Sequence, residues 1–151
     1  MSTRQVVRIA LMAVTAMTFS LHHSIAEEET NAIEWLQHYG DARKESGETQ
    51  RPVFLFLTTQ GCPHCARMEY GTFKDSDIAS TIKDSFVPAR LKLNSSSSLA
   101  RDLKVTLYPT TVLIAPDGKV LDYIRGYVGT ERLRESMAMA VHKDTVASNS
   151  D

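Results

Sequence analysis

Residues 53 to 70, VFLFLTTQGCPHCARMEY, decide how this chain is to be read. Val53 to Leu57 is an apolar run too short for a helix and without the alternation of a strand that faces water, so it suits a strand covered on both faces. Thr58 to Gly61 stops the run. Pro63 then fits the first turn of a helix, where its missing N–H has no partner to lose. The two cysteines of the 151-residue chain, Cys62 and Cys65, therefore stand where an inner strand gives way to a helix. In an open α/β sheet that carboxyl end is where ligands and substrates are met.

Working outward, Ile33, Leu36 and Tyr39 with charges between them predict a helix capped by Thr30 or Asn31 and ending near Gly47. Asp75 or Ser76 can cap a helix holding Ile78, Ile82 and Phe86, and Val87 to Leu93 alternates apolar residues with outward Arg90 and Lys92, as a strand does. The serine run at 95 to 98 reads as a loop, and a short helix from Leu99 to Leu103 leads to a strand at Tyr108 to Ile114. Pro116-Asp117-Gly118-Lys119 turns that strand back into Val120 to Arg125. A last helix starts near Thr130 and runs through Leu133, Met137 and Val141, and the polar residues from 142 to 151 are expected to be a flexible tail. The order predicts one α/β domain over residues 27 to 141, with a central mixed β-sheet flanked by helices on both faces.

Residues 1 to 26 are expected to lie outside that domain. Arg4 and Arg8 precede an uncharged stretch from Ile9 to Leu21, and Ser24-Ile25-Ala26 offers a cleavage site, the pattern of a secretory signal. The stretch is shorter than the ~20 apolar residues that span a bilayer. Its removal leaves 15 basic and 18 acidic residues, a net charge of −3. So weak a field, with no strong clustering of Lys and Arg, gives no sign of a nucleic-acid partner. The expected product is a monomer without membrane insertion, in the periplasm or otherwise secreted, where cysteines are normally oxidised.

Three chemistries compete for Cys62 and Cys65. A structural zinc needs four ligands, and outside the signal only His38, His64 and His142 accompany the two thiols, without ligand spacing. A purely structural disulfide across so short a loop constrains the unfolded chain little. Dithiol exchange needs an accessible thiolate and a second thiol near enough to resolve the mixed disulfide. A helix N-terminus supplies both, since its free N–H groups favour a thiolate at Cys62 and one turn brings Cys65 alongside. Cys62 is thus the expected nucleophile and Cys65 the resolver. Met137 and Met139 are expected to be packing or surface residues rather than copper ligands.

The CxxC after an apolar strand, together with Tyr108-Pro109-Thr110 before a second strand, resembles the thioredoxin superfamily over roughly residues 31 to 141. The resemblance implies a thioredoxin fold and a thiol-disulfide oxidoreductase whose redox-active disulfide, Cys62-Cys65, serves in place of a cofactor. It also implies that Pro109 is cis and faces the disulfide, and that Tyr108, Pro109 and Thr110 line the substrate groove. Protein thiols and disulfides, and a recycling partner such as a membrane thiol carrier, are the implied partners. A thioredoxin-fold module holding Cu(I) or zinc on its two thiolates is the alternative.

The dipeptide Pro63-His64 resembles that of the DsbA oxidants, in which the histidine helps hold the thiolate. Lowering a thiol pKa from ~8.5 to ~4 stabilises the reduced form by about 4 kcal/mol at pH 7, on the order of 90 mV. Yet the compact spacing from Cys65 to Pro109, and ARMEY after Cys65, resemble the group of the DsbD C-terminal domain, whose members pass electrons into the periplasm. Two positions depart from thioredoxins: Phe56 replaces a buried Asp that accepts a proton near the resolving thiol, and Gly61 replaces a Trp. Glu69, four residues after Cys65 and on the same helical face, matches a glutamate of the DsbD-type pattern and is the alternative proton acceptor. Trp35, the sole tryptophan, is expected in the core.

Overall fold

The computed structural model describes residues 32–94 and 96–148. The expected signal segment, and the end of the tail from 149 to 151, lie outside the described residues. The elements are α1 (Tyr39–Thr49), β1 (Val53–Thr58), α2 (Pro63–Tyr70), a 3-10 turn (Thr72–Lys74), α3 (Ser76–Ser85), β2 (Val87–Lys92), α4 (Ser98–Asp102), β3 (Thr110–Ile114), β4 (Val120–Arg125) and α5 (Thr130–Ser148). They form one four-stranded sheet in the order β2-β1-β3-β4, with β1 parallel to β2 and antiparallel to β3, and β3 antiparallel to β4. The sheet is mixed, as the sequence implies.

β1 is buried along its whole length, and its side chains feed two cores. Phe54 and Phe56 join Cys65, Met68, Phe73, Ile78, Ile82, Leu133 and Met137 on the face covered by α2, α3 and α5. Val53, Leu55 and Leu57 join Val87, Ala89, Val112 and Ile114 on the other face, under Ala42 of α1 and beside Leu99 and Leu103 at α4. A strand with such a layer on each side has no room for polar residues, which is why its sequence does not alternate. Each fully buried Phe or Leu here is worth roughly 1.5–3 kcal/mol.

Two expectations change. The first helix begins at Tyr39, not behind Thr30 or Asn31: Leu36 instead donates its N–H to Pro88 O at 3.0 Å and accepts from Arg90 N at 2.9 Å, bridging to the edge strand β2. Ile33 and Trp35 turn to one core and Leu36 to the other, a two-residue alternation inside what resembled a helical spacing. At the other end, α5 continues through Ser148, well into the segment expected as a flexible tail. Lys143 Nζ donates to Leu121 O at 3.2 Å and Thr145 back-bonds to Val141 O, so this last stretch is tied to β4 and to its own preceding turn.

Between β3 and β4 the turn at 116–119 is closed by Gly118 N–H to Ala115 O and Ala115 N–H to Lys119 O. Arg43 of α1 donates to both Ala115 O and Pro116 O, at 2.9 and 3.0 Å, fixing the hairpin to the helix layer. Asp117 is held below the usual carboxylate range, first by the side-chain hydrogen bond from Lys119 and then by the Lys119 backbone N–H.

Candidate active site

Where β1 ends, the chain must turn sharply into α2. Gly61 makes that turn with φ +67°, a backbone region that side-chain-bearing residues enter at a cost. Cys62 follows as the N-cap of α2 with Pro63 at the first helical position, so the helix starts where the sequence predicts. Cys62 and Cys65 are joined by a disulfide with their Cα atoms 5.3 Å apart. The Cys62 sulfur also accepts the Cys65 backbone N–H at 3.2 Å. In capping terms the sulfur occupies the place of a Ser or Asp oxygen, satisfying one of the free N–H groups of the helix.

The two cysteines differ in environment. Cys65 is 2% exposed and belongs to the core with Phe56 and Met68, whereas Cys62 is half-buried and packs only on its edge. Phe56 fills the position of the thioredoxin aspartate and is enclosed by aromatic rings, 4.9 Å from Phe73 and 6.3 Å from Trp35. Trp35 lies in this cluster, as expected. Behind the inner cysteine there is therefore hydrocarbon in place of the thioredoxin carboxylate.

Glu69 lies one turn beyond Cys65, and its carboxylate is 3.8 Å from Arg90 Nη1 of β2. Both line, with Thr58, Cys62, Cys65 and Lys92, a cleft of about 760 Å³. His64 and Pro63 are exposed on the first turn. The His64 ring is 6.5 Å from that of Tyr127, which Arg67 also overlies at 4.2 Å, so the loop after β4 is anchored to α2 by a cation on an aromatic face. Arg67 and Tyr127 were not singled out from the sequence as contacts of this helix; the i,i+3 relation of His64 and Arg67 was the available signal.

Register brings the second motif to the same end of the sheet. Leu57, at the end of β1, pairs with Thr110 at the start of β3, and the Tyr108-Pro109 peptide just before it is cis. Pro109 O accepts from Gly126 N at 2.7 Å, and Gly126 has φ +80°. Thr110 is fully buried and donates its hydroxyl to Leu107 O at 2.7 Å, so its side chain holds the approach to Pro109. Pro109 is buried too, and of these three residues Tyr108 alone keeps a partly exposed side chain.

Residues 39–140 match the family described as the thioredoxin-like domain. The chain belongs to that family. The thioredoxin-like architecture is equally evident in solved structures. A thioredoxin from Thermus thermophilus superposes with a TM-score of 0.69 at 20% identity, covering 77% of this chain and 92% of that one. A DsbH oxidoreductase gives 0.59 at 20% identity, covering 72% and 84%. The reduced DsbD C-terminal domain of Neisseria meningitidis gives 0.58 at 15% identity, covering 67% and 91%. At such identities these likenesses speak for the thioredoxin fold. No curated protein matches this thioredoxin-like chain. Fold and disulfide together give the equipment of thiol-disulfide exchange.

Proposed function

We propose that the chain is an exported thiol-disulfide oxidoreductase in which Cys62 trades its disulfide bond with protein thiols and Cys65 resolves the mixed disulfide. The observation that carries this reading is the asymmetry of the pair: a half-buried sulfur at the helix N-cap, hydrogen-bonded by an N–H at 3.2 Å, and a partner sulfur in the core. In the oxidising direction a substrate thiolate attacks Cys62 Sγ. The bond to Cys65 breaks, and the Cys65 sulfur leaves with the electron pair and takes a proton. A second substrate thiolate then attacks the substrate sulfur, forming the substrate disulfide and releasing Cys62 as a thiolate. The reverse sequence reduces a substrate disulfide.

The Cys65 N–H and the positive end of α2 stabilise the Cys62 thiolate. His64, on the same first turn, adds to that stabilisation and makes the couple more oxidising than that of thioredoxin. With Phe56 in place of the thioredoxin aspartate, Glu69 receives the proton of Cys65 through the shared cleft, and Arg90 orients it. Tyr108 and Pro109 present the substrate chain. Export places the mature protein in the periplasm or otherwise outside the cell, with protein thiols as substrates and a membrane thiol carrier to recycle it. Turnover of a protein disulfide by the wild type and by Cys62→Ser tests the assignment. Loss of turnover in the variant is expected, and a variant that works at the normal rate contradicts it.

A further inference from the structure

The alternation of β2 does more than bury Val87, Ala89 and Leu91. It turns Arg90 and Lys92 to the opposite face, the one that carries α2, where both line a gap beside that helix, Arg90 also lying over the Trp35 ring. That gap is the cleft of about 760 Å³ lined by Cys62, Cys65, Thr58, Glu69, Arg90 and Lys92. It lies on the β2 side of β1, whereas Tyr108 and Pro109 lead into β3 on the other side. The cleft is thus distinct from the Tyr108-Pro109 step at the same end of the sheet.

The charges of the cleft do not cancel. Glu69 is matched by Arg90 at 3.8 Å, which leaves exposed Lys92 and the N-terminal end of α2 as a positive surplus beside the Cys62 sulfur. Clefts of ~300–1,000 Å³ suit small molecules, and carboxylates are the natural partners of such cations.

We infer that this cleft receives small thiols that carry carboxylates, with Lys92 as the residue that selects them. The inference rests on the dithiol reading of Cys62. The small thiolate attacks Cys62 Sγ, the Cys62–Cys65 bond breaks as the new S–S bond forms, and the Cys65 sulfur leaves with the electron pair and is protonated. A second small thiolate attacks the bound small-thiol sulfur, which releases Cys62 as a thiolate and a low-molecular-weight disulfide. Two thiols are oxidised and one protein disulfide is reduced.

The test uses the full chain in its oxidised form and three probes: anionic glutathione, neutral mercaptoethanol and cationic cysteamine. Each rate is normalised to the same thiol's rate with a small reference disulfide. Glutathione is expected to be favoured over cysteamine. Lys92→Glu should lower the glutathione-to-cysteamine ratio about tenfold, and Lys92→Gln by less, with the difference fading at high salt. Lys44→Glu, at an exposed position of α1, should leave the ratio as it is. A ratio that ignores charge at position 92, while mercaptoethanol reduces the protein, overturns the cleft and leaves the dithiol reading intact. A disulfide that none of the three thiols reduces defeats that reading and the inference with it.

Discussion

His64 is one position before the core-facing part of α2, and its ring stands in solvent at 6.5 Å from Tyr127. On the proposed mechanism its imidazole acts on the Cys62 thiolate, so its removal belongs to the redox couple and not to stability. His64→Ala should move the potential in the reducing direction by tens of millivolts, with ~30 mV for each 1.4 kcal/mol of thiolate stabilisation lost. Equilibration against glutathione measures this, and an unchanged potential removes His64 from the mechanism. The residue scale is also where the sequence spoke most clearly. Two cysteines, a strand before them and a proline between them define the helix N-cap almost completely. The surroundings of Cys65 were less legible, because Glu69, Arg90 and Lys92 meet only through the pairing of β1 with β2.

At the scale of elements, α2 is held by its two ends. Gly61 needs φ +67° but has open space around it, so Gly61→Ala costs only conformational energy, about 1 kcal/mol. Gly71, at the other end, has no space: a Cβ there would lie 2.7 Å from Arg67 O. Gly71→Ala should therefore cost more, about 1–3 kcal/mol, as the helix end shifts to relieve the contact. Urea titration of both variants checks the order, and equal costs would contradict it. The β3–β4 hairpin offers a pH signature. Because the folded Asp117 carboxyl is held below its ordinary range, its contribution is present above the unfolded pKa and lost as pH falls through the folded one. Asp117→Asn should flatten that acid limb of the stability curve, and an unaltered limb would place the effect elsewhere. Element boundaries were the least legible part of the chain. Ile33, Leu36 and Tyr39 fit a helical period, but Trp35 and the bridge to β2 decide for extended chain. Composition alone made residues 142 to 148 look like a tail, whereas Lys143 reaches Leu121 O from a continuing helix.

For the whole molecule, the sheet separates two cores, and the one beneath α2 also carries the disulfide. Phe56 lies in that core with Cys65, fully buried and T-shaped against Phe73 at 4.9 Å. Phe56→Ala should cost roughly 3–5 kcal/mol. Phe56→Asp should cost at least as much, since the aromatic cluster holds no partner for a charge. Thermal unfolding tests both, and a Phe56→Asp protein as stable as the wild type would show that the site tolerates a thioredoxin-like carboxylate. The global architecture was legible because β1 is apolar on both sides and because each later segment keeps its own period. The position of Pro109 at the same end of the sheet followed from family resemblance rather than from its neighbours, since nothing local to Tyr108-Pro109 reports the register of β3.

On the proposed mechanism Cys62 carries the sulfur that forms the covalent link with a substrate. Mixing reduced Cys65→Ser with a disulfide-bonded protein and mapping the adduct by mass spectrometry tests it directly. A stable mixed disulfide is expected at Cys62, and none at Cys65 when the reciprocal Cys62→Ser protein is treated in the same way. Adducts on Cys65 at a comparable rate, or no adduct in either protein, would contradict it.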